Sequence, residues 1–433
     1  MTRAKVSGRM TLGIACLATL LVRGGAGAAP GSLDTSFGSG GKVTTSIGAG
    51  DYGHAVAIDG SGRIVVAGSS DSGGFNPDFA VVRYTASGSL DTTFGGGGKV
   101  TTPIGASEDN GYDIALDGRG RIVVAGDSWN GTDHDVAVVR YMASGSLDTT
   151  FGSGGKVITP IGAGDDIGVA VALDGRGRIV VAGAAYTGTN LDFAVVRYTA
   201  RGRLDKTFGS GGKVTTPIGA SDDFGHAVAI DGSGRIVVAG FSWNGTNNDV
   251  AVVRYTTSGS LDTTFGSGGK VTTPIGAGDD FGDAVAIDGS GRIVVAGDSW
   301  TGTDSDIAVV RYTASGSLDT AFGSGGKVIT PIGAGGDYGN AVAIDGGGRI
   351  VVVGASDTGT YDDFAVVRYT ASGSLDTTFG SGGKVTTSIG AGGDYGDAVA
   401  IDGGGRIVVA GYSYTGAKID FAVVRYQGGS GCQ

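Results

Sequence analysis

Cysteine and histidine are almost missing from this chain. Two cysteines, Cys16 and Cys432, and three histidines, His54, His134 and His226, serve 433 residues. No disulfide framework can be built from that pair, so stability must come from packing. No His-x-His or His-x-x-x-His pair exists, which removes the common zinc spacings. Basic charge is short as well: 31 Lys and Arg face 42 Asp and Glu, a net charge of −11. That sign disfavours nucleic acid and anionic membranes as partners. The apolar stretch at residues 10–22 is too short to span a bilayer comfortably. Proline is confined: five of seven, Pro103, Pro160, Pro217, Pro274 and Pro331, directly follow a Lys-Val-x-Thr phrase.

Glycine is abundant instead, 89 residues, about three times the usual share. Disorder tolerates such a content, but 40% hydrophobic residues and a mean hydropathy of +0.13 argue against it. The glycine follows a period. The phrase Leu-Asp-x-x-Phe-Gly places its aromatic at Phe37, Phe94, Phe151, Phe208, Phe265, Phe322 and Phe379, each step being 57 residues. Val-Val-Arg-Tyr ends at Tyr84, Tyr141, Tyr198, Tyr255, Tyr312, Tyr369 and Tyr426 with the same step. A strict period of this length marks units that bury their apolar surface against one another. Seven copies predict one closed domain over residues 30–427, with 428–433 as a flexible tail.

Residues 1–29 stand outside the period. Arg3, Lys5 and Arg9 precede the apolar stretch, and Ala26-Gly27-Ala28 follows it. This is the layout of a secretory signal peptide, with cleavage expected after Ala28 or Ala29. Cleavage removes four basic residues and no acid, leaving 27 bases against 42 acids, a net charge of −15. Only Cys432 then remains, so no intrachain disulfide is possible. The expected location is extracellular or at the cell surface, without membrane insertion.

Each unit reads as four short strands, in the second unit residues 112–116, 121–126, 136–141 and 156–159. The Asp-Gly-x-Gly turn between the first two is a hairpin signal. The apolar runs are nearly continuous, which indicates sheets covered on both faces. A unit this long suits one blade of a β-propeller. The fold class is therefore all-β: a seven-bladed β-propeller with four antiparallel strands per blade. Small residues assign Ala-Val-Ala-Ile to the crowded axis. The prolines put Lys-Val-Thr-Thr at the outer edge. The first copy opens on an outer strand and the last lacks one. Residues 42–45 are thus expected beside 421–426, completing the seventh blade and removing an unpaired edge.

The phrases Ala-Val-Ala-Ile-Asp-Gly-Ser-Gly-Arg-Ile-Val-Val-Ala-Gly, Asp-Phe-Ala-Val-Val-Arg-Tyr and Gly-Ser-Leu-Asp-Thr-Thr-Phe-Gly-Ser-Gly-Gly-Lys-Val resemble the delta-60 repeat, a propeller-forming domain of unknown function in bacterial secreted proteins. The resemblance covers residues 31–426. It implies a propeller and export, and it brings no catalytic residue with it.

Motifs for chemistry are few. Gly-Ser-Gly-Gly-Lys lacks the spacing of a phosphate-binding loop. Asp-Gly-Ser-Gly-Arg lacks the remaining ligands of a calcium loop. Polar residues present in all seven copies read as architecture. The Arg ring (Arg83 to Arg425) lies within an apolar strand, reads as half-buried and needs a partner. Three Asp rings, beginning at Asp34, Asp51 and Asp78, offer one, and the others cap turns. No cofactor is called for, and the chain reads as a non-enzyme and a monomer.

Variable positions are where binding can reside. Strand order puts two variable loop sets on one rim: those joining outer to next inner strands, and those joining second to third strands. In the latter, one aligned position reads Asp71, Trp129, Tyr186, Trp243, Trp300, Asp357 and Tyr414. Trp129, Tyr186, Trp243 and Trp300 are expected to form an arc that binds a glycan or a protein, with Asp166, Asp223 and Asp280 accepting hydrogen bonds or pairing with cations. Two alternatives accompany this scaffold. One is a structural or self-associating surface protein. The other is an enzyme with a channel-centred site at the residues opening the inner strands, His54, Tyr112, Val169, His226, Asp283, Asn340 and Asp397, where His226, Asp283 and Asp397 would hold a metal.

Overall fold

The computed structural model describes residues 28–74 and 76–429. Most of the expected signal segment, Cys16 and Cys432 lie outside the described residues. Twenty-eight strands form seven four-stranded antiparallel sheets. Blade one is Gly50–Ile58, Ile64–Asp71, Pro77–Tyr84 and Lys99–Thr102, and the same order recurs in the next five blades. The inner strands touch their neighbours all round the axis, so the ring is closed.

Blade seven joins the two ends of the chain. Asp394–Ile401, Ile407–Tyr414 and Ile419–Tyr426 are completed by Lys42–Thr45. The register pairs Lys42 with Val424 and Thr45 with Phe421, as the strand order predicted. The strands are longer than expected toward the variable rim: the second blade's first three are Asp109–Leu116, Ile122–Trp129 and His134–Tyr141. Backbone pairing continues there under polar side chains, Asp109 opposite Ser128 and Asn110 opposite Asp127, where an apolar pattern cannot announce it.

Invariant residues stitch blade to blade. Arg83 is buried outright rather than half-buried. Its Nε donates to Asp91 Oδ2 at 2.8 Å, its guanidinium lies 4.6 Å over the Phe94 ring, and its Nη1 donates to the Ala143 carbonyl of the next blade. The Asp34 ring is therefore the partner ring. At the closure Arg425 finds Asp34 at 2.8 Å and Phe37 at 4.6 Å. Tyr84 Oη donates to Thr45 Oγ1 of the preceding blade at 2.8 Å, and this contact also recurs in every blade. The turn Asp59 accepts from Ser61 N, Arg63 N and Arg63 Nε, which accounts for the constant Asp-Gly-x-Gly-Arg phrase.

One irregularity shapes the channel. In six inner strands the register slips by one residue just after a glycine, between Gly53 and Ala55 in blade one. Opposite the slip stands the glycine of Val-Val-Ala-Gly. A Cβ on Gly68 would lie 1.8 Å from Tyr52 O, and one on Gly53 would lie 2.6 Å from Gly411 O of the neighbouring blade. Glycine at both points permits the bulge.

Candidate functional site

The bulged residue is the variable one in six inner strands, and in blade five Asp283 holds the aligned position just before Ala284–Ile287. His54, Tyr112, Val169, His226, Asp283, Asn340 and Asp397 line a cavity of about 270 Å³ at the channel mouth. Ring order brings them together pairwise. His226 Nδ1 lies 2.8 Å from Asp283 Oδ1, and His54 Nδ1 lies 3.0 Å from Asp397 Oδ2. Asn340 Nδ2 donates to Asp397 Oδ1 at 3.2 Å. The metal set named above is thus divided between two pairs. Among the described residues no group of three His, Cys, Asp or Glu is placed to hold a metal ion.

Carboxylates concentrate on the same side. Asp113 replaces the small residue of the other inner strands and accepts from Val171 N of the next blade at 2.6 Å. Burial pushes its carboxyl up to about 6. Asp298 is pushed up to about 7, first by burial and then by Asp283, with Asp280 and Asp279 adding to it. Blade five has the shortest inner strand, Ala284–Ile287, where these carboxylates crowd.

A raised carboxyl contributes stability below its unfolded value and loses it as pH rises through the folded one. Asp298→Ala, which copies Ala184 and Ala355 at the aligned position, is expected to stabilise the protein at pH 8 by on the order of a few kcal/mol and far less at pH 5. Urea melts at both values check it. Equal effects at the two pH values would show that Asp298 is not held protonated.

The predicted rim residues are placed as follows. Trp129 and Trp243 are half-buried, while Tyr186 and Trp300 are exposed. None is buried between blades. Trp129 packs edge-on against His134 at 5.1 Å, and the rings of Tyr186 and Trp300 lie over Gly164 and Gly278 of their own blades. Asp166, Asp223 and Asp280 require a correction. All three have no exposed surface. Each folds under its loop and accepts from two successive amides, those of Ile161 and Gly162 for Asp166, Ile218 and Gly219 for Asp223, and Ile275 and Gly276 for Asp280. Their lone pairs serve the loop, and no ligand reaches them from solvent.

A tyrosine-lined groove lies elsewhere on the rim. Three adjoining cavities of about 370, 450 and 610 Å³ run over blades six, seven and one. Tyr361 and Tyr395 are shared by the first two, and Tyr414 and Ile419 by the last two. Tyr338 opens the first and Tyr52 lines the third, which reaches His54 at the channel mouth. The floor is a chain of rings: Tyr395 stacks on Tyr412 at 5.1 Å, and Tyr412 meets Tyr52 edge-on at 5.1 Å. Tyr395 Oη donates to Asp362 Oδ2 at 2.5 Å. That bond, then burial, pushes the phenol up to about 12. The signal for Tyr52, Tyr338 and Tyr395 is the aligned position after the Asp51 ring, which reads Tyr52, Asn110, Ile167, Phe224, Phe281, Tyr338 and Tyr395.

A family model described as a domain of unknown function (DUF5122) beta-propeller matches residues 60–94, 120–151, 177–208, 232–265, 289–322 and 348–379. The chain is a β-propeller repeat protein. Six matches for seven blades follow from the closure, since the seventh unit is divided between the two ends of the propeller sequence. No curated protein matches the chain. Among solved structures, virginiamycin B lyase from Staphylococcus aureus, an inactive variant with quinupristin, superposes with a TM-score of 0.52 at 10% identity, covering 88% of this chain and 98% of that one. Polysaccharide lyase Uly1 gives 0.48 at 10% identity over 87% and 90%. Sqt1 from Chaetomium thermophilum gives 0.45 at 13% identity over 90% and 98%. At such identity the first likeness shows a shared fold alone. No helix among the described residues is long and apolar enough to cross a membrane.

Proposed function

We propose that this protein is a secreted, non-catalytic propeller scaffold, built from delta-60 repeats, that holds a glycan on its variable-loop rim. The observation that carries the reading is the continuous tyrosine-lined groove over blades six, seven and one. Exposed phenol faces stack on the apolar faces of sugar rings, and each offers a large area for little conformational entropy. Tyr361 is 55% exposed, Tyr414 44% and Tyr338 41%, so their faces are open to a ligand. Support for export is the segment at residues 1–29. Pro30, directly after the expected cleavage site, already packs on the ring through its carbonyl, which accepts from Gly380 N at 2.9 Å.

The Trp129, Tyr186, Trp243 and Trp300 arc is the second reading, favoured by the exposure of Tyr186 and Trp300. Two triple variants separate the readings. With glycan arrays and calorimetry on the secreted protein, Tyr361→Ala/Tyr395→Ala/Tyr414→Ala is expected to lose about 30-fold or more in affinity. Trp129→Ala/Trp243→Ala/Trp300→Ala is expected to bind as the parent does. The reverse pattern moves the site to the arc. Concentration-dependent assembly without glycan binding would favour the self-associating role.

A further inference from the structure

Charge divides the ring along its axis. From Arg63 onward, every arginine lies at the rim of the Asp-Gly turns: in those turns, beside them at the ends of the third strands, or in the connection after residue 198. Many of the acids there are paired with them, Asp59 with Arg63 and Asp91 with Arg83 in the first unit. The opposite, variable rim has no arginine. Outside the four rings that begin at Asp34, Asp51, Asp59 and Asp78, every remaining acid lies at the variable rim or the channel mouth. Where copies of the repeat differ by an acid, they differ at this end.

The groove sits within that field. Asp357 and Asp362 line its first cavity with Tyr338, Tyr361 and Tyr395. Asp71 and Glu108 line its third with Tyr52. The one lysine lining these cavities, Lys418, is engaged: its Nζ bonds Ser46 Oγ and the Gly48 carbonyl and lies 3.7 Å from Asp420 Oδ1. The outer-strand lysines reach the foot of the variable loops but are spent on backbone carbonyls, as Lys42 is on Ser388 O at 2.6 Å. Burial and then the surrounding aspartates, Asp298, Asp362 and Asp357 among them, raise the Tyr338 phenol at the groove's opening. Asp362 takes one hydrogen bond from Tyr395, and Asp357 Oδ1 takes one from Gly359 N at 2.8 Å. A carboxylate has room for more than one donor. A polyanion is repelled from such a surface, whereas a cation is drawn to it.

We infer that the groove takes an amine-bearing glycan, an oligomer of unacetylated amino sugar whose rings stack on the tyrosines while its ammonium groups pair with Asp357 and Asp362. This rests on the glycan-scaffold reading above. The inference adds the ligand's charge, and a linear path across three blades.

The test titrates the secreted protein with a glucosamine hexamer, its N-acetylated counterpart, a uronate hexamer and a lysine hexapeptide, each at low and at high salt. The glucosamine hexamer is expected to bind at least about tenfold tighter than the acetylated one, and to weaken several-fold as salt screens the field. The uronate is expected not to bind. Asp357→Asn/Asp362→Asn, with its fold checked by circular dichroism, should bring the two glucosamine forms to similar affinity. Should that variant misfold, the salt dependence of the parent decides. Equal or tighter binding of the acetylated or uronate hexamer overturns this inference and leaves the glycan scaffold standing. Tighter binding of the lysine peptide than of any glycan, or binding of no glycan at all, overturns both.

Discussion

Deleting residues 30–47 is expected to abolish the closed ring rather than trim it. Those residues supply the outer strand of blade seven and much of its seam with blade one. Phe37 is fully buried among Ile64, Val66, Tyr84, Val408 and Phe421. Losing a buried Phe costs about 3–5 kcal/mol. Asp34 is the carboxylate partner of buried Arg425, and stranding such a charge costs about 3–5 kcal/mol. These two losses alone reach the range of 5–15 kcal/mol that holds a whole domain together. The segment also ties blade seven to both neighbours, through Pro30 O to Gly380 N and Gly38 N to Ser87 O. Size exclusion and near-ultraviolet circular dichroism should show oligomers without fixed aromatic packing. Cooperative melting within about 5 °C of the parent would refute the velcro closure. A permuted chain supplies the control. Gly31 N already donates to Gln427 O at 2.7 Å. Starting at residue 48 and appending 30–47 after 429 through a short glycine linker should therefore restore the parent's melting behaviour.

The closure was legible because a period has a phase. Once Lys-Val-Thr-Thr is assigned to the outer edge, an orphan outer strand at one end and a missing one at the other can only meet. Arg83 was legible as a half-buried cation in need of a carboxylate, but three Asp rings competed for the role. The choice of the Asp34 ring depends on the chain turning back after Tyr84, which no local pattern states. The groove was hidden for a different reason. It draws on several aligned positions at once: Tyr52, Tyr338 and Tyr395 from inner strands, Tyr412 and Tyr414 from a second strand, and Tyr361 from a loop. No single position shows it, and its halves come from opposite ends of the chain. The aligned position that displays the tryptophans carries Asp71 and Asp357 at the groove, so the cavities lie on the part of the rim that the arc leaves out. Asp166, Asp223 and Asp280 misled for a simpler reason. A rim carboxylate can face solvent or fold under its own loop. Its recurrence four or five residues after the Ile of Ile-Gly in every copy was the sign of a loop cap.

Arg254→Met is expected to destabilise the protein by about 3–5 kcal/mol at neutral pH, the cost of stranding one partner of a buried ion pair. Arg254 is 2% exposed. Its Nε donates to Asp262 Oδ2 at 2.9 Å, its Nη1 reaches the Ala314 carbonyl of blade five at 2.5 Å, and its guanidinium lies 4.6 Å over Phe265. Met fills similar volume over the ring but leaves Asp262 and the Ala314 carbonyl without their donor. The loss should depend on pH in a way that a mere packing defect does not. In the parent, the Thr264 hydroxyl and amide together with Arg254 outweigh burial and hold the Asp262 carboxyl below its ordinary value. A carboxyl lowered in the folded state contributes stability above its unfolded value and loses it as pH falls through the folded one. Without Arg254, burial has less to oppose it, and Asp262 takes up a proton at higher pH than in the parent. The gap between parent and variant in urea melts should then be largest near neutrality and narrow steadily toward pH 3. Arg235, whose Nη1 lies 3.7 Å from the same Asp262 oxygen, is the residual partner. Arg235→Met alone should cost less, because its pairing with Asp231 is at the solvent-facing turn. A gap that stays constant with pH would assign the loss to packing over Phe265 and remove the ion pair from the account of how one blade holds the next.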